Sequence, residues 1–256
     1  MRYVTRATDY LYPVVALVIL IVLWEVGTRA GEVPRYVLPS ASETLQALID
    51  GWPLLMDNSV STAVAISSGF ALSVVIGVGV GLMITWIKPI EKAIWPLLVG
   101  SQAIPKIALA PIFVVWFGFG LTPRIVMAFL ISFFPVVVET VAGMRAIQPE
   151  LVYVSRCMGL NPVQSFFKVR FPNALPHLFG GLKVAIALAA VGAVVGEFVG
   201  SDSGLGNVML RAMGLSNTPL LFAAIIVLTV LAILMFLAIE AIERIAIPWH
   251  VSQRRP

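Results

Sequence analysis

Three charged residues stand in strongly apolar stretches of the sequence: Lys106, Glu139 and Glu197. Charged side chains within a membrane are costly, and they usually face a cavity or pair with a partner. Lys106 could pair with one of the two glutamates and hold helices together. Alternatively, these three residues and Trp116 could line a pathway for a polar solute. The residue types allow both interpretations.

Ser203 lies in the glycine-containing segment SDSGLG, a position in which a serine could act as a nucleophile. Such catalysis needs a histidine base within hydrogen-bonding reach. The only histidines are His177 and His250, and the charge distribution described below places both on the opposite face of the membrane. We therefore expect no catalytic residues, no metal site and no enzyme activity.

Cys157 is the only cysteine in the chain. An intrachain disulfide and a metal site built from cysteines are therefore excluded. Its type predicts a small, buried apolar side chain. The chain also lacks the G-x-x-x-x-G-K-[S/T] pattern that cradles nucleotide phosphates, so it has no P-loop of its own.

The composition of the whole chain is that of an integral membrane protein. Of the 256 residues 59% are hydrophobic and 12% are charged, and the mean hydropathy is +0.98. Soluble domains carry roughly 25% charged residues. We predict one all-α, polytopic domain over residues 1–256. The net charge of +4 could suit nucleic acid, but basic residues in such a chain more often mark cytoplasmic loops.

Six apolar stretches predict about six transmembrane helices, at about 12–29, 60–86, 94–118, 124–144, 178–200 and 219–247. The first run is long for a signal peptide and has no small-x-small cleavage site after it. Basic residues concentrate on one face of the membrane, which is cytoplasmic by the positive-inside rule and carries both termini. These residues are Arg2, Arg6, Lys88, Lys92, Arg145, Arg156, Lys168, Arg170, Arg244, Arg254 and Arg255.

The third apolar stretch contains Pro105 and Pro111, followed by WFGFG from Trp116. Proline removes a backbone donor, so this span is predicted to be kinked or broken. A broken helix could line a pathway or could be a simple structural kink. Small residues recur at every fourth position from Gly69 to Gly81 and from Gly192 to Gly200, which predicts close packing within one subunit or between subunits. Ser40 or Ser42 could cap a short helix on the outer side.

A helix–turn–helix is predicted in the cytoplasmic segment CMGLNPVQSFFKVRFPNALP, which begins at Cys157. Gly159 suits the left-handed residue that ends a helix. Asn161 as N-cap, Pro162 as first helical residue and Gln164 as capping-box partner then start a second helix, predicted to end near Arg170 before Pro172. Val163, Phe166 and Phe167 share one apolar face. That face could rest on the membrane, on the protein's own helices or in the groove of another protein.

This segment resembles the cytoplasmic-loop signature of ABC importer permeases: Glu-Ala-Ala, three residues, Gly, nine residues, Ile, one residue, Leu-Pro. Gly159 and Pro172 match, Val169 and Phe171 are apolar replacements, and the Glu-Ala-Ala positions fall on Tyr153 to Ser155. The segments LPSASETLQALI, PKIALAPIFVVWFGFG and GLKVAIALAAVGAVVGEFVGSDSGLG are similar to the nitrate, sulfonate and taurine permeases. GAVVGEFVGSDSGLG and ERIAIPWH look closest to permeases for thiamine-pyrimidine precursors or riboflavin.

The resemblance implies a type I (MetI-like) permease fold with core spans over about 60–247 and a coupling loop over about 146–176. It implies a multi-pass subunit of a prokaryotic plasma (inner) membrane that dimerises, receives a small organic solute from a binding protein and docks on a separate ATPase, which holds ATP and Mg. No cofactor is expected on this chain. The implied coupling residues are Cys157, Met158, Gly159, Leu160, Asn161, Pro162, Val163, Gln164, Phe166 and Phe167. A secondary transporter or channel without an ATPase is the alternative.

Overall fold

The computed structural model describes residues 7–249, with side chains from residue 12 onward. Arg2, Arg6, His250, Arg254 and Arg255 lie outside this range, so their predicted positions stay predictions. The described residues form helices and no strand. The helices are α1 (Ala7–Ala30), α2 (Ala41–Asp50), α3 (Trp52–Trp86), α4 (Lys88–Ser101), a 3-10 helix (Lys106–Leu109), α5 (Ala110–Phe117), α6 (Leu121–Arg145), α7 (Pro149–Cys157), α8 (Pro162–Ser165), a π-helical turn (Phe166–Arg170), α9 (Phe171–Gly200), α10 (Leu205–Gly214) and α11 (Thr218–Ala246).

The structure contains five to six candidate membrane spans, and the predicted number of about six is reached when the broken third span is counted as one. Five single helical segments are long and apolar enough to cross a membrane, and α4 joins the 3-10 helix and α5 across a bend of 88° to make the sixth. Pro105 stands at this bend, as the residue that precedes the 3-10 helix. The predicted break of the third span is therefore confirmed, and it separates two shorter helices rather than kinking one.

The centre of the bundle is the pairing of α6 with α9, against which α3 packs. Small residues make this close approach possible. A Cβ on Gly192 would lie 2.6 Å from the Met127 carbonyl oxygen, so only glycine fits there. Ser73 and Ser132 also pair across α3 and α6 at 2.6 Å. The small-residue stripes thus serve packing within this subunit.

The first span stands apart from this bundle. Its exposed side chains include Leu17, Leu20 and Leu23, which suit a lipid environment. Near the end of α1, Trp24 Nε1 donates to the Pro39 carbonyl at 3.0 Å. Glu25 accepts from the Ser42 backbone N–H at 3.0 Å. The first span is therefore held at this end, beside α2.

The short helix α2 begins as the sequence predicts. Ser40 is its N-cap, and the Ser40 backbone donates in return to Glu43, which completes a capping box. Ala47 and Leu48 then pack on a core that includes Leu55 and Ala223. Packing against α3 and α11, together with the cap, fixes α2 at this end of the bundle.

Candidate functional site

Residues 146–170, here called the connecting loop, join α6 to α9. Helix α7 ends in a left-handed turn at Gly159, whose φ is +75°. The Gly159 N–H donates to the Arg156 carbonyl at 2.9 Å, and the Leu160 N–H donates to the Ser155 carbonyl at 3.1 Å. This pair of bonds is the Schellman arrangement in which glycine is favoured. The predicted glycine turn is confirmed.

A capping box starts the next helix, also as predicted. Asn161 accepts from the Gln164 N–H at 2.8 Å, and the Gln164 side chain accepts from the Asn161 N–H at 3.1 Å. Pro162 occupies the first helical position, where no donor is needed. Buried hydroxyls of Ser155 and Ser165, 2.9 Å apart, tie the second helix to α7. Hydrogen bonds between nearby residues thus hold α7 and α8 together.

The second helix does not end before Pro172, so this prediction is wrong. It continues through the π-helical turn into α9, and the whole segment Pro162–Gly200 is one helical span. Across the π-helical turn, Phe171 N donates to Phe166 O, five residues back. A wider turn leaves room for a proline ring that would otherwise press on the preceding turn. Pro172 is therefore accommodated near the start of α9.

Only part of the predicted apolar face of the second helix is exposed. Val163 and Phe167 are each 65% exposed, whereas Phe166 is only 7% exposed. Phe166 packs inward because Trp86 and Phe171 surround its ring. The exposed apolar surface is completed by Met158 in the turn, 73% exposed. A cavity of about 550 Å³ is lined by residues of the loop and by Trp86 at the end of α3.

Two further residues of the loop differ from simple expectations. Cys157 is exposed, so the prediction of a buried side chain is wrong; its place at the end of α7, just before the turn, keeps it at the surface. Tyr153, at the position where the permease signature has glutamate, is 67% exposed. The surface of the connecting loop is therefore apolar and aromatic where the signature is acidic.

At the other end of the bundle, a buried polar cluster surrounds Glu197, which is 1% exposed. Its Oε1 accepts from Thr62 Oγ1 at 2.8 Å, and its Oε2 accepts from the Gly206 N–H at 2.7 Å. Arg124 Nη1 lies 3.8 Å from Oε1. These contacts all come from the same chain. Glu197 is thus enclosed within the subunit in this conformation.

Arg124 and Asn58 extend the polar cluster to the turn of residues 201–204. Arg124 Nη1 donates to Ser61 Oγ at 2.8 Å and to the Ser203 carbonyl at 3.2 Å. Asn58 Oδ1 accepts from the Gly204 N–H at 2.7 Å. Gly204 has φ +106°, and a Cβ there would collide with the Glu197 carboxyl group. The cluster therefore fixes this turn against α3 and α6.

The predicted pairing of Lys106 with a membrane glutamate is wrong. Lys106 Nζ donates to Gln102 Oε1 at 2.9 Å and lies 5.9 Å from the centroid of the Phe134 ring. Glu197 instead has Arg124 as its ionic partner, and Glu139 lies 3.8 Å from His177 Nδ1. The broken third span holds Lys106 away from both carboxylates, beside Phe134 of α6.

The other predicted pathway residues lie on open surfaces. Trp116 is 68% exposed, and the Glu139 side chain is 39% exposed. Lys106, Trp116 and Glu139 are thus accessible, whereas Glu197 is not.

Two ion pairs lie near the end of α11. Arg244 pairs with Glu240 at 2.5 Å, the geometry of i, i+4 partners on one helix, and Lys183 of α9 pairs with Glu243.

Sequence reasoning missed the partners of Glu197. Arg124 is a charged residue in another span, and its side chain is buried. Asn58 and Thr62 precede Gly204 and Glu197 by 146 and 135 residues. One signal was available: α3 carries Asn58, Ser59 and Thr62 on one buried face at helical spacing.

Comparisons with known proteins agree with this architecture. The family described as "binding-protein-dependent transport system inner membrane component" matches residues 73–247. The formylaminopyrimidine transport permease ThiX of Halalkalibacterium halodurans is 38% identical over 97% of this chain and 99% of its own length. The riboflavin transport permease RibX of Chloroflexus aurantiacus is 38% identical over 93% and 90%.

A more distant relative and a solved structure extend the comparison. The taurine permease TauC of Escherichia coli is 27% identical over 91% of this chain and 87% of its own length. An inward-facing structure of the MetNI methionine ABC transporter contains a chain with a TM-score of 0.66 and 22% identity, covering 75% of this chain and 96% of that one. At this identity the likeness establishes the fold.

Proposed function

Because the chain belongs to the family of binding-protein-dependent transport system inner membrane components, we propose that its connecting loop docks on a separate ATPase subunit. The chain is the permease of an ABC importer, like the permeases it matches along most of its length. The observation that carries the proposal is the exposed apolar surface of the connecting loop. Met158, Val163 and Phe167 are exposed there, on a turn and a helix that local hydrogen bonds hold in place.

The loop presents this surface in a form suited to a groove. Short helices that lay apolar side chains into a groove are a common recognition mode. The segment from Cys157 to Phe167 forms the docking surface, with Met158, Val163 and Phe167 as its apolar contacts. Phe166 faces inward and supports the surface from behind. ATP and Mg are held by the ATPase subunit.

The solute is a small organic molecule, and the relatives favour a flat nitrogen heterocycle. The permeases named for formylaminopyrimidine and for riboflavin are each 38% identical to this chain, whereas the one named for taurine is 27% identical. Among the pathway candidates, Trp116 offers an exposed ring for stacking. Lys106 and Glu139 are the other accessible candidates, and they offer charged groups.

The membrane arrangement follows the charge distribution. Both termini and the connecting loop are cytoplasmic, and the turn of residues 201–204 is external. The functional unit contains a second permease copy, so that two copies enclose the solute pathway. A binding protein delivers the solute from the outer side, where α2 and the turn are located.

Reconstitution tests this proposal against transport without an ATPase. The permease is placed in liposomes with its ATPase and binding protein, and uptake of labelled pyrimidine or riboflavin is measured. Uptake should require ATP and should stop when the ATPase is omitted. If the permease alone moves the solute down an ion gradient, the proposal is wrong and the protein is a secondary transporter.

A further inference from the structure

An aromatic contact joins the connecting loop to the end of α3. Trp86, the last residue of α3, meets Phe166 edge to face with ring centroids 4.8 Å apart and an interplanar angle of 73°. Resting on the function proposed above, we propose that Trp86 is a positioning residue: it links the connecting loop to α3, so that loop movement reaches the bundle through α3 as well as through α9.

Phe166 is placed to join the two helices. Its ring centroid lies 5.8 Å from that of Phe171, the first residue of α9, and 4.9 Å from that of Phe167. Phe167 is exposed on the docking surface, whereas Phe166 is buried. A push on Phe167 would therefore meet Phe166 first, and Phe166 would pass it to Trp86 and to Phe171.

The surroundings of the Trp86–Phe166 contact make it the main connection between the loop and α3. The cavity of about 550 Å³ beside it is lined by Trp86, Phe166 and Phe167 together with α7 residues such as Val152 and Arg156. The end of α3 makes no broad contact with α7, α8 or the π-helical turn. Close-packed side chains transmit displacement. The aromatic pair is thus the direct path from the loop to α3.

A simpler role for Trp86 gives a different expectation. Tryptophans are enriched where membrane spans meet the interface, where they act as anchors, and Trp86 is 58% exposed. Loss of an anchor would lower the amount of inserted protein. It would leave unchanged the ATP hydrolysed per solute moved by each assembled complex. Loss of a positioning residue would raise that ratio.

The chain offers a matched control for this difference. Trp52 begins the same helix at its opposite end and has a similar exposure of 50%. The Trp52→Ala change removes the same side chain from α3 without touching the connecting loop. The Trp86→Phe change keeps an aromatic ring at the contact, and Phe166→Leu removes the second ring while keeping an apolar side chain.

The test measures solute uptake and ATP hydrolysis in the reconstituted complex with its ATPase and binding protein. In Trp86→Ala and in Phe166→Leu, ATP hydrolysed per solute should rise by about fivefold or more, the size of an ordinary coupling effect. The double variant should be no worse than the worse single variant, since both changes break one contact. Trp86→Phe should restore most of the coupling, and Trp52→Ala should match the wild type.

The measured ratio of ATP hydrolysed to solute moved decides whether Trp86 is a positioning residue. If Trp86→Ala keeps the wild-type ratio, or if Trp52→Ala changes it equally, the inference is overturned. If Trp86→Ala does not assemble, Phe166→Leu and Trp86→Phe carry the same test. If the wild-type complex itself shows no ATP-dependent uptake, the proposed function fails instead, which is a separate result.

Discussion

The connecting loop and the polar cluster sit at opposite ends of the bundle and are built in opposite ways. In the loop, the ordering hydrogen bonds join residues three to ten positions apart, as between Asn161 and Gln164 or Ser155 and Ser165. In the cluster, the bonds to Glu197 and Gly204 reach across 135 and 146 residues. The hydrogen bonds of the loop are local and leave its surface exposed. Those of the cluster join distant segments of the chain and hold the subunit together.

This difference separates two kinds of mutational effect. Changes in the polar cluster should lower the stability of the folded permease. Changes in the connecting loop should leave the fold in place and alter the coupling of ATP hydrolysis to uptake. A variant that showed the opposite behaviour would break the comparison.

The largest effect on stability is expected from Glu197→Ala. The change leaves the Arg124 guanidinium buried beside Thr62 without its carboxylate, and breaking a buried ion pair in this way costs about 3–5 kcal/mol. Thermal unfolding of the purified protein in detergent should show a large fall in the unfolding temperature. Glu197→Gln keeps the volume and should lose less. Wild-type stability of Glu197→Ala would show that the cluster is not a structural clamp.

The next effect is expected in the loop, from Gly159→Val. A side chain meets open space there, but the φ of +75° is strained for valine. A β-branched residue at such a φ costs about 1–3 kcal/mol, so the turn should rearrange while the membrane bundle stays folded. Uptake should fall, while the amount of inserted permease and the ATP hydrolysis by the ATPase subunit should persist.

Gly79→Val is the matched control for this loop variant. Gly79 also has open space around it, but it lies within α3 without a positive φ. The Gly79→Val variant should therefore transport solute as the wild type does. Normal transport by Gly159→Val would contradict the coupling role of the turn.

The smallest effect is expected from Asn161→Ala. The change removes the side-chain acceptor for the Gln164 N–H, and loss of such a cap costs about 1 kcal/mol. The start of α8 should fray, and ATP hydrolysed per solute should rise by less than in Gly159→Val. Hydrogen exchange at Gln164 would report the lost bond. Unchanged exchange there would mean that Pro162 alone fixes the helix start.

The sequence predicts the connecting loop well because its signals are local. Gly159, Asn161 and Gln164 act on neighbours within one helical turn, so their types and order indicate the turn and the capping box. The same holds for Ser40 and α2, and hydropathy alone predicts the six spans. These features need no knowledge of how distant helices pack.

The remaining features depend on packing, which the sequence order does not reveal. Glu197 could be recognised as costly in an apolar run, but its partners Thr62 and Arg124 come from other helices. Phe166 shares helical spacing with Val163, yet Trp86 of α3 draws it inward. Pro172 was expected to end a helix, and the π-helical turn before it accommodates its ring instead. The sequence therefore predicts local structure more completely than it predicts partners.

The connecting loop, rather than the end of the bundle that holds the polar cluster, should contact the ATPase, and the single native cysteine tests this directly. Cys157 is exposed on the connecting loop, so a short photoactivatable thiol reagent can be attached to it in the assembled complex. Illumination should cross-link it to the ATPase subunit. The control carries Cys157→Ser with Asp202→Cys, at the exposed turn beside the polar cluster, and should not. A complex in which Cys157 fails to cross-link to the ATPase, or Asp202→Cys succeeds, would contradict the account.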